Sequence, residues 1–246
     1  MRRRICRVLL PAAAAIALPV AGCAGPAAAT AGQHGIPASY TTSSAGYTTG
    51  GRWRFRFVAT SLAVPACPAD PAGNALASIA LTGGRYLASI AVACGGGASS
   101  VGYLDHHFGG GAFRLSPRVG DVLNLSVYRD RAASRDYFTL TDTATGRTQT
   151  VAVATPRSVV YQHAELAVSL ASPGAARPVS DQRLWGFAGS RVTSYRGIRA
   201  GLRGPWPARM LVATVTGTVA GAVVMSPSAL SGRQQFGVWL RHRPAS

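Results

Sequence analysis

Lysine is missing from this sequence, and a single glutamate, Glu165, stands with seven aspartates against twenty-five arginines. So few carboxylates exclude a metal centre built from several acidic side chains. Beyond residue 20 no apolar run is long enough for a membrane-spanning helix. The best candidate, MLVATVTGTVAGAVVM at 210–225, is short, and its threonines and glycines suit strands and a turn. Of four cysteines, at 6, 23, 67 and 94, the last two lie too far apart to suggest a metal site or a thiol nucleophile. No Gly-x-Ser-x-Gly elbow and no phosphate-cradling glycine loop occurs, and no segment sustains a helical period. No cofactor or metal is expected.

What the sequence does contain begins with MRRRICRVLLPAAAAIALPVAGC, where Arg2, Arg3, Arg4 and Arg7 precede an apolar run from Val8 to Val20. A charged start, a short apolar stretch and small residues describe an export signal over 1–22. Val20-Ala21-Gly22-Cys23 resembles a bacterial lipobox, which implies lipid on Cys23 and a protein held on the outer face of the cell membrane. Simple secretion, with cleavage after a nearby alanine, is the alternative. Residues 23–50, rich in Ala, Gly, Ser, Thr and Pro, read as a flexible tether, and 51–246 as one folded domain. Once exported, Cys67 and Cys94 are expected to pair, closing a loop worth roughly 3 kcal/mol.

Loss of the four leader arginines leaves a formal charge of +13 from the original +17. That balance favours contact with anionic envelope surfaces. Export and the absence of a recognisable motif argue against nucleic acid. Arg52, Arg54 and Arg56 alternate with Trp53, Phe55 and Phe57, the pattern of a strand with one wet face.

Short runs rich in β-branched and aromatic residues recur between Gly, Pro, Asp and Ser, from RWRFRFVATSLAV (52–64) to QQFGVWLRH (234–242). Asp142 to Gly146 reads as a hairpin turn, and the triplets Gly95–Gly97 and Gly109–Gly111 as flexible turns. Many short strands at near-regular spacing predict an all-β sandwich or barrel. In YQHAELAVSL (161–170), read as one strand, Tyr161, His163, Glu165, Ala167 and Ser169 share a polar, small-residue face. Ala164, Leu166, Val168 and Leu170 share an apolar face with Gln162. Glu165 is therefore expected in a groove or at the surface, with His163 on the same side.

Several segments, in order, resemble the glutamic peptidases (the eqolisin family). They are Val119-Gly120-Asp121-Val122, Tyr137 to Gly146 (YFTLTDTATG), Ala164-Glu165, Pro227-Ser228-Ala229-Leu230 and Phe236-Gly237-Val238-Trp239. The resemblance covers most of 50–242. It implies a concanavalin-like antiparallel β-sandwich (jelly roll) whose concave sheet forms a cleft. It also implies that Glu165 occupies the position of the general base that activates water. Leu166 replaces the family's tryptophan on the core side. The family's water-holding glutamine falls at Ser89, in Leu87-Ala88-Ser89-Ile90-Ala91-Val92. Gln162 cannot stand in for it, lying three residues from Glu165 and so on the other face. Loss of one oxyanion donor typically costs about a hundred- to a thousandfold in rate.

Two readings follow. In one, the domain is catalytically impaired and binds a peptide, a polysaccharide or an anionic surface. In the other it is a divergent acid endopeptidase using Glu165 with His163 or Ser89 as helper. His163 beside Glu165 is an acid/base pair in the second reading and a solvated polar pair in the first. Asp105-His106-His107 has the residue types of certain phosphoesterase metal sites, but lacks their further aspartates, and adjacent strand histidines point opposite ways.

Overall fold

A computed structural model describes residues 35–67, 74–170 and 182–241. The leader, Cys6 and Cys23 lie outside the described residues. Strands account for the regular structure: β1 (Ala38–Thr41), β2 (Ser44–Thr49), β3 (Phe55–Ala63), β4 (Ala75–Gly83), β5 (Tyr86–Gly95), β6 (Ala98–Asp105), β7 (Gly109–Ala112) and β8 (Val122–Asp130). They continue as β9 (Arg135–Asp142), β10 (Thr148–Ala154), β11 (His163–Leu170), β12 (Gln182–Ser194), β13 (Arg199–Ala200), β14 (Ala208–Thr214), β15 (Val223–Pro227) and β16 (Phe236–Leu240). No helix among the described residues is long and apolar enough to cross a membrane.

The strands join edge to edge in the order β10-β9-β8-β3-β12-β16-β15-β14-β2-β11-β4-β5-β6-β7, with β1 beside β14 and β13 beside β12. Apart from the parallel β1–β14 pair, the ladders are antiparallel. The ribbon folds back so that β3, β8 and β9 pack on β4, β5 and β11. This is the expected all-β sandwich.

Alternation builds the core. Leu123, Leu125 and Val127 of β8 and Phe138 and Leu140 of β9 point inward, toward Ile79 and Leu81 of β4, Ile90 and Val92 of β5, and Leu166 and Val168 of β11; all are fully or almost fully buried. Burying each such side chain is worth roughly 1.5–3 kcal/mol. Cys67 and Cys94 form the expected disulfide, with Cα atoms 5.0 Å apart, tying the segment after β3 to the end of β5. The Asp142–Gly146 turn is held by Asp142, whose carboxylate accepts from Ala144 N at 2.9 Å and Thr145 Oγ1 at 2.7 Å. The 210–225 stretch forms β14, a turn and β15.

Four expectations change. The stretch expected to be a tether contributes β1 and β2, and β2 is an interior strand between β11 and β14. Its Ser/Thr/Gly composition suits a tether, yet Ala45 and Tyr47 are buried, and Tyr47 packs edge-on against Phe236 at 4.9 Å. Gly46 is required there by space: a Cβ would stand 2.1 Å from the Leu166 carbonyl oxygen. Gly109–Gly111 belong to strand β7 rather than to a turn. Tyr161 does not share a face with Glu165. Regular pairing starts at His163, Gln162 N is bonded to Thr82 O, and Tyr161 is buried, donating to Asp136. Finally, the alternation over 52–57 breaks at the start of β3. Phe55 enters the core while Phe57 lies on the outer side beside Tyr128, because β3 and β12 slip register there.

Candidate functional site

Glu165 lies on the outer face of β11, and strand register fixes its neighbours. It pairs with Thr48 of β2 on one side and Ala80 of β4 on the other. Ala80 pairs with Ser89 of β5, and Ser89 with Leu104 of β6. Beyond Thr48 the row ends on Arg209 of β14. The next row along the strands is Leu211, Gly46, Ala167, Ser78, Ala91 and Gly102. These side chains point away from the core, yet Ala167 is only 1% exposed, Ala80 5% and Ser89 8%. Outward-facing residues so shielded mark a recessed floor, and its small side chains leave room above it.

Glu165 is half-buried in this floor and makes no hydrogen bond or ion pair among the described residues. Burial pushes its carboxyl above the ordinary range, with no compensating donor. Burial thus favours the protonated form of this carboxyl.

Sequence reasoning grouped Ser89 and His163 with Glu165. Ser89 shares its face, but Ala80 intervenes, and two strand spacings amount to roughly 10 Å. A serine hydroxyl cannot cover that gap. His163 also shares the face, opposite Thr82, and packs over Gly50, where a Cβ would stand 2.1 Å from Nδ1. No hydrogen bond or ion pair joins it to Glu165.

The polar group that directly flanks Glu165 is Thr48, which sequence reasoning left in the tether. The alternation in SAGYTT is the signal that could have found it: Ala45, Tyr47 and Thr49 are buried toward the core, and Ser44 and Thr48 are not. At the far end of the floor, about 13 Å along β11 from Glu165, an open cavity of about 480 Å³ lies between Leu76, Ala93, Ser99, Ser100 and Ser169. Glu165 does not line it.

Asp105, His106 and His107 do not share one strand. Asp105 ends β6 and is buried, whereas both histidines sit exposed in the following turn, His107 with φ +86°. No cluster of three or more His, Cys, Asp or Glu among the described residues could hold a metal ion.

No family model matches this chain, and no curated protein matches it by sequence. Among solved structures the fold resembles scytalido-glutamic peptidase bound to a transition-state analogue inhibitor. The TM-score is 0.63 and the identity 17%, over 81% of this chain and 98% of that one. It also resembles SCP-B, a member of the eqolisin family in complex with a tripeptide, with TM-score 0.59, 14% identity, and coverage of 82% and 100%. Aspergilloglutamic peptidase from Aspergillus niger matches with TM-score 0.51 and 18% identity, over 68% of this chain and 98% of that one. At these identities the likeness establishes the fold: a glutamic-peptidase-like β-sandwich.

Proposed function

We propose that this is an exported protein, held at the outer face of the membrane through lipid on Cys23, whose recessed sheet binds an extended peptide without turning it over efficiently. The observation that carries this reading is the row Thr48, Glu165, Ala80, Ser89. An acid stands on a floor of small residues, and among the described residues no amide side chain pairs beside it to position water or donate to an oxyanion. That SCP-B holds a tripeptide on the same fold supports a peptide as occupant. The excess of arginine over acids suits residence beside an anionic envelope surface.

A second reading, a divergent acid endopeptidase, is favoured by one observation: burial raises the Glu165 carboxyl, and none of the described residues pairs with it. In that reading Glu165 takes the proton of an attacking water, and the adjacent Thr48 hydroxyl, rather than Ser89, is placed to donate to the developing oxyanion.

The test is incubation of the full chain with a diverse peptide pool from about pH 3 to pH 7, the range over which Glu and His titrate, beside Glu165→Gln. Mass spectrometry reads cleavage, and co-elution reads retained peptides. Retention without cleavage is the expected outcome. Cleavage that disappears in Glu165→Gln would replace the binding reading with the peptidase one, and neither retention nor cleavage would dismiss both.

A further inference from the structure

Away from the groove, buried charge gathers where the two ends of the strand path meet. No β-ladder joins β7 to β10. Side chains close the seam instead: Arg114 N donates to Gln149 Oε1 at 2.8 Å, and the Tyr103 and Phe138 rings lie 5.3 Å apart. Asp105 at the end of β6 and Asp136 at the start of β9 are buried inside this seam, 1% and 0% exposed.

The two acids are served unequally. Asp136 has Arg129 Nη1 at 3.4 Å and accepts from the Tyr161 hydroxyl at 2.6 Å. Arg129, fully shielded, also donates to the carbonyls of Thr155 at 3.2 Å and Pro156 at 2.5 Å. Asp105 receives only the Thr155 hydroxyl, 2.7 Å from Oδ2, and its buried Oδ1 faces no donor. Thr155 links the two acids, its hydroxyl serving Asp105 and its carbonyl accepting from the Arg129 Nη1 that faces Asp136. Two carboxylates and one guanidinium leave one uncompensated negative charge out of water, which is costly. A proton on Asp105 removes the excess charge and relieves the orphaned oxygen of carrying it.

We infer that Asp105 and Asp136 share one proton, and that this proton is a pH-sensitive latch holding the β6–β7 hairpin against β9 and β10. β7 sets Gly109 opposite Asp105, and β10 sets Val153 opposite Asp136, neither bringing a charge. β8 supplies Arg129, the segment before β11 supplies Tyr161, and Tyr195, after β12, stands near Arg129, Arg131 and Asp136. β5 places Ala88 opposite Asp105 and contributes no charge.

Burial pushes the Asp105 carboxyl up to about 7; the Thr155 hydroxyl pulls it partly back, and the neighbouring Asp136 adds to the rise. The folded chain thus keeps a proton that the unfolded chain releases near an ordinary aspartate value. Stability from the latch is complete at acid pH and is lost as pH rises from about 4 to about 7. Above that the proton leaves to water and two carboxylates repel across the seam. Leu104, next to Asp105, stands in the Glu165 row, so loosening the hairpin also loosens the wall of the groove.

The test is thermal unfolding of the full chain in mild detergent across pH 4 to 8, beside Asp105→Asn. The asparagine can still accept from Thr155 but does not titrate. The melting temperature of the unaltered chain is expected to fall with rising pH and level off above about 7, and that of Asp105→Asn to lose most of this dependence. An unchanged pH dependence in the variant overturns the latch. Should Asp105→Asn not fold, infrared spectra of Glu165→Gln, in which the other raised acid is gone, decide the matter. A protonated-carboxyl stretch present at pH 6 and gone by pH 8 supports the shared proton; its absence at pH 6 overturns it.

Discussion

The groove floor and the seam each keep a carboxyl group from water, and they do so in opposite ways. At the seam, Asp105 and Asp136 are enclosed by groups from β8, the end of β10 and the segment before β11, and the hydrogen bonds run in a connected network. On the floor, Glu165 is shielded by its neighbours' backbone and small side chains, and none of the described residues answers it. A partnered buried acid is a structural device, since removing any member orphans the rest. An unpartnered acid on a recessed outer face is instead held raised by burial alone, with no network that its removal would orphan.

That contrast can be broken most severely at the groove. Removing residues 35–50 deletes β1 and β2, strips the Thr48 flank from Glu165 and opens the sheet between β14 and β11. Loss of cooperative folding is expected, read by circular dichroism and by the thermal transition. A shortened chain that melts like the full one would show that the stretch is a tether after all.

Next in size is the seam. Asp136→Ala leaves Arg129 buried without its ion-pair partner and Tyr161 without its acceptor. A loss of about 3–5 kcal/mol is expected, measured by denaturant unfolding at pH 6. A change under about 1 kcal/mol would mean that water, not the fold, solvates this pair.

The smallest effect is expected at Glu165. Because burial raises its folded carboxyl above the unfolded value, its contribution to stability is present at acid pH and lost as pH rises through the folded pKa. Glu165→Gln is therefore expected to be neutral at pH 4 and neutral to slightly stabilising at pH 7, within about 1 kcal/mol. Clear destabilisation at pH 7 would reveal a hidden partner and erase the contrast with the seam.

Much of the sandwich was legible from alternation. Leu123, Leu125 and Val127, or Leu166, Val168 and Leu170, repeat with period two, and each run is buried as that period requires. Turn chemistry at Asp142–Gly146 was equally local. Less legible was β2, because SAGYTT has the composition of a linker. It becomes a strand through the neighbours on either side, and Gly46 matters only because the Leu166 carbonyl lies against it. Tyr161 was misplaced for a similar reason. The bond from Gln162 N to Thr82 O falls outside the regular pairing of β11, and no pattern in the chain announces it.

By itself, then, the sequence determined what period and composition can encode: an all-β chain, the Cys67–Cys94 pair, and a Glu165 facing away from Leu166 and the core. Tertiary structure alone decided which residues stand beside that glutamate. Register across β2, β11, β4 and β5 set Thr48 and Ala80 next to it and Ser89 one strand too far. Only closure of the ribbon's two ends put Asp105 and Asp136 into one network with Thr155 and Arg129. Side-chain alternation is a property of one strand, whereas register and closure are properties of pairs of strands distant in the chain, fixed by the packing that joins them.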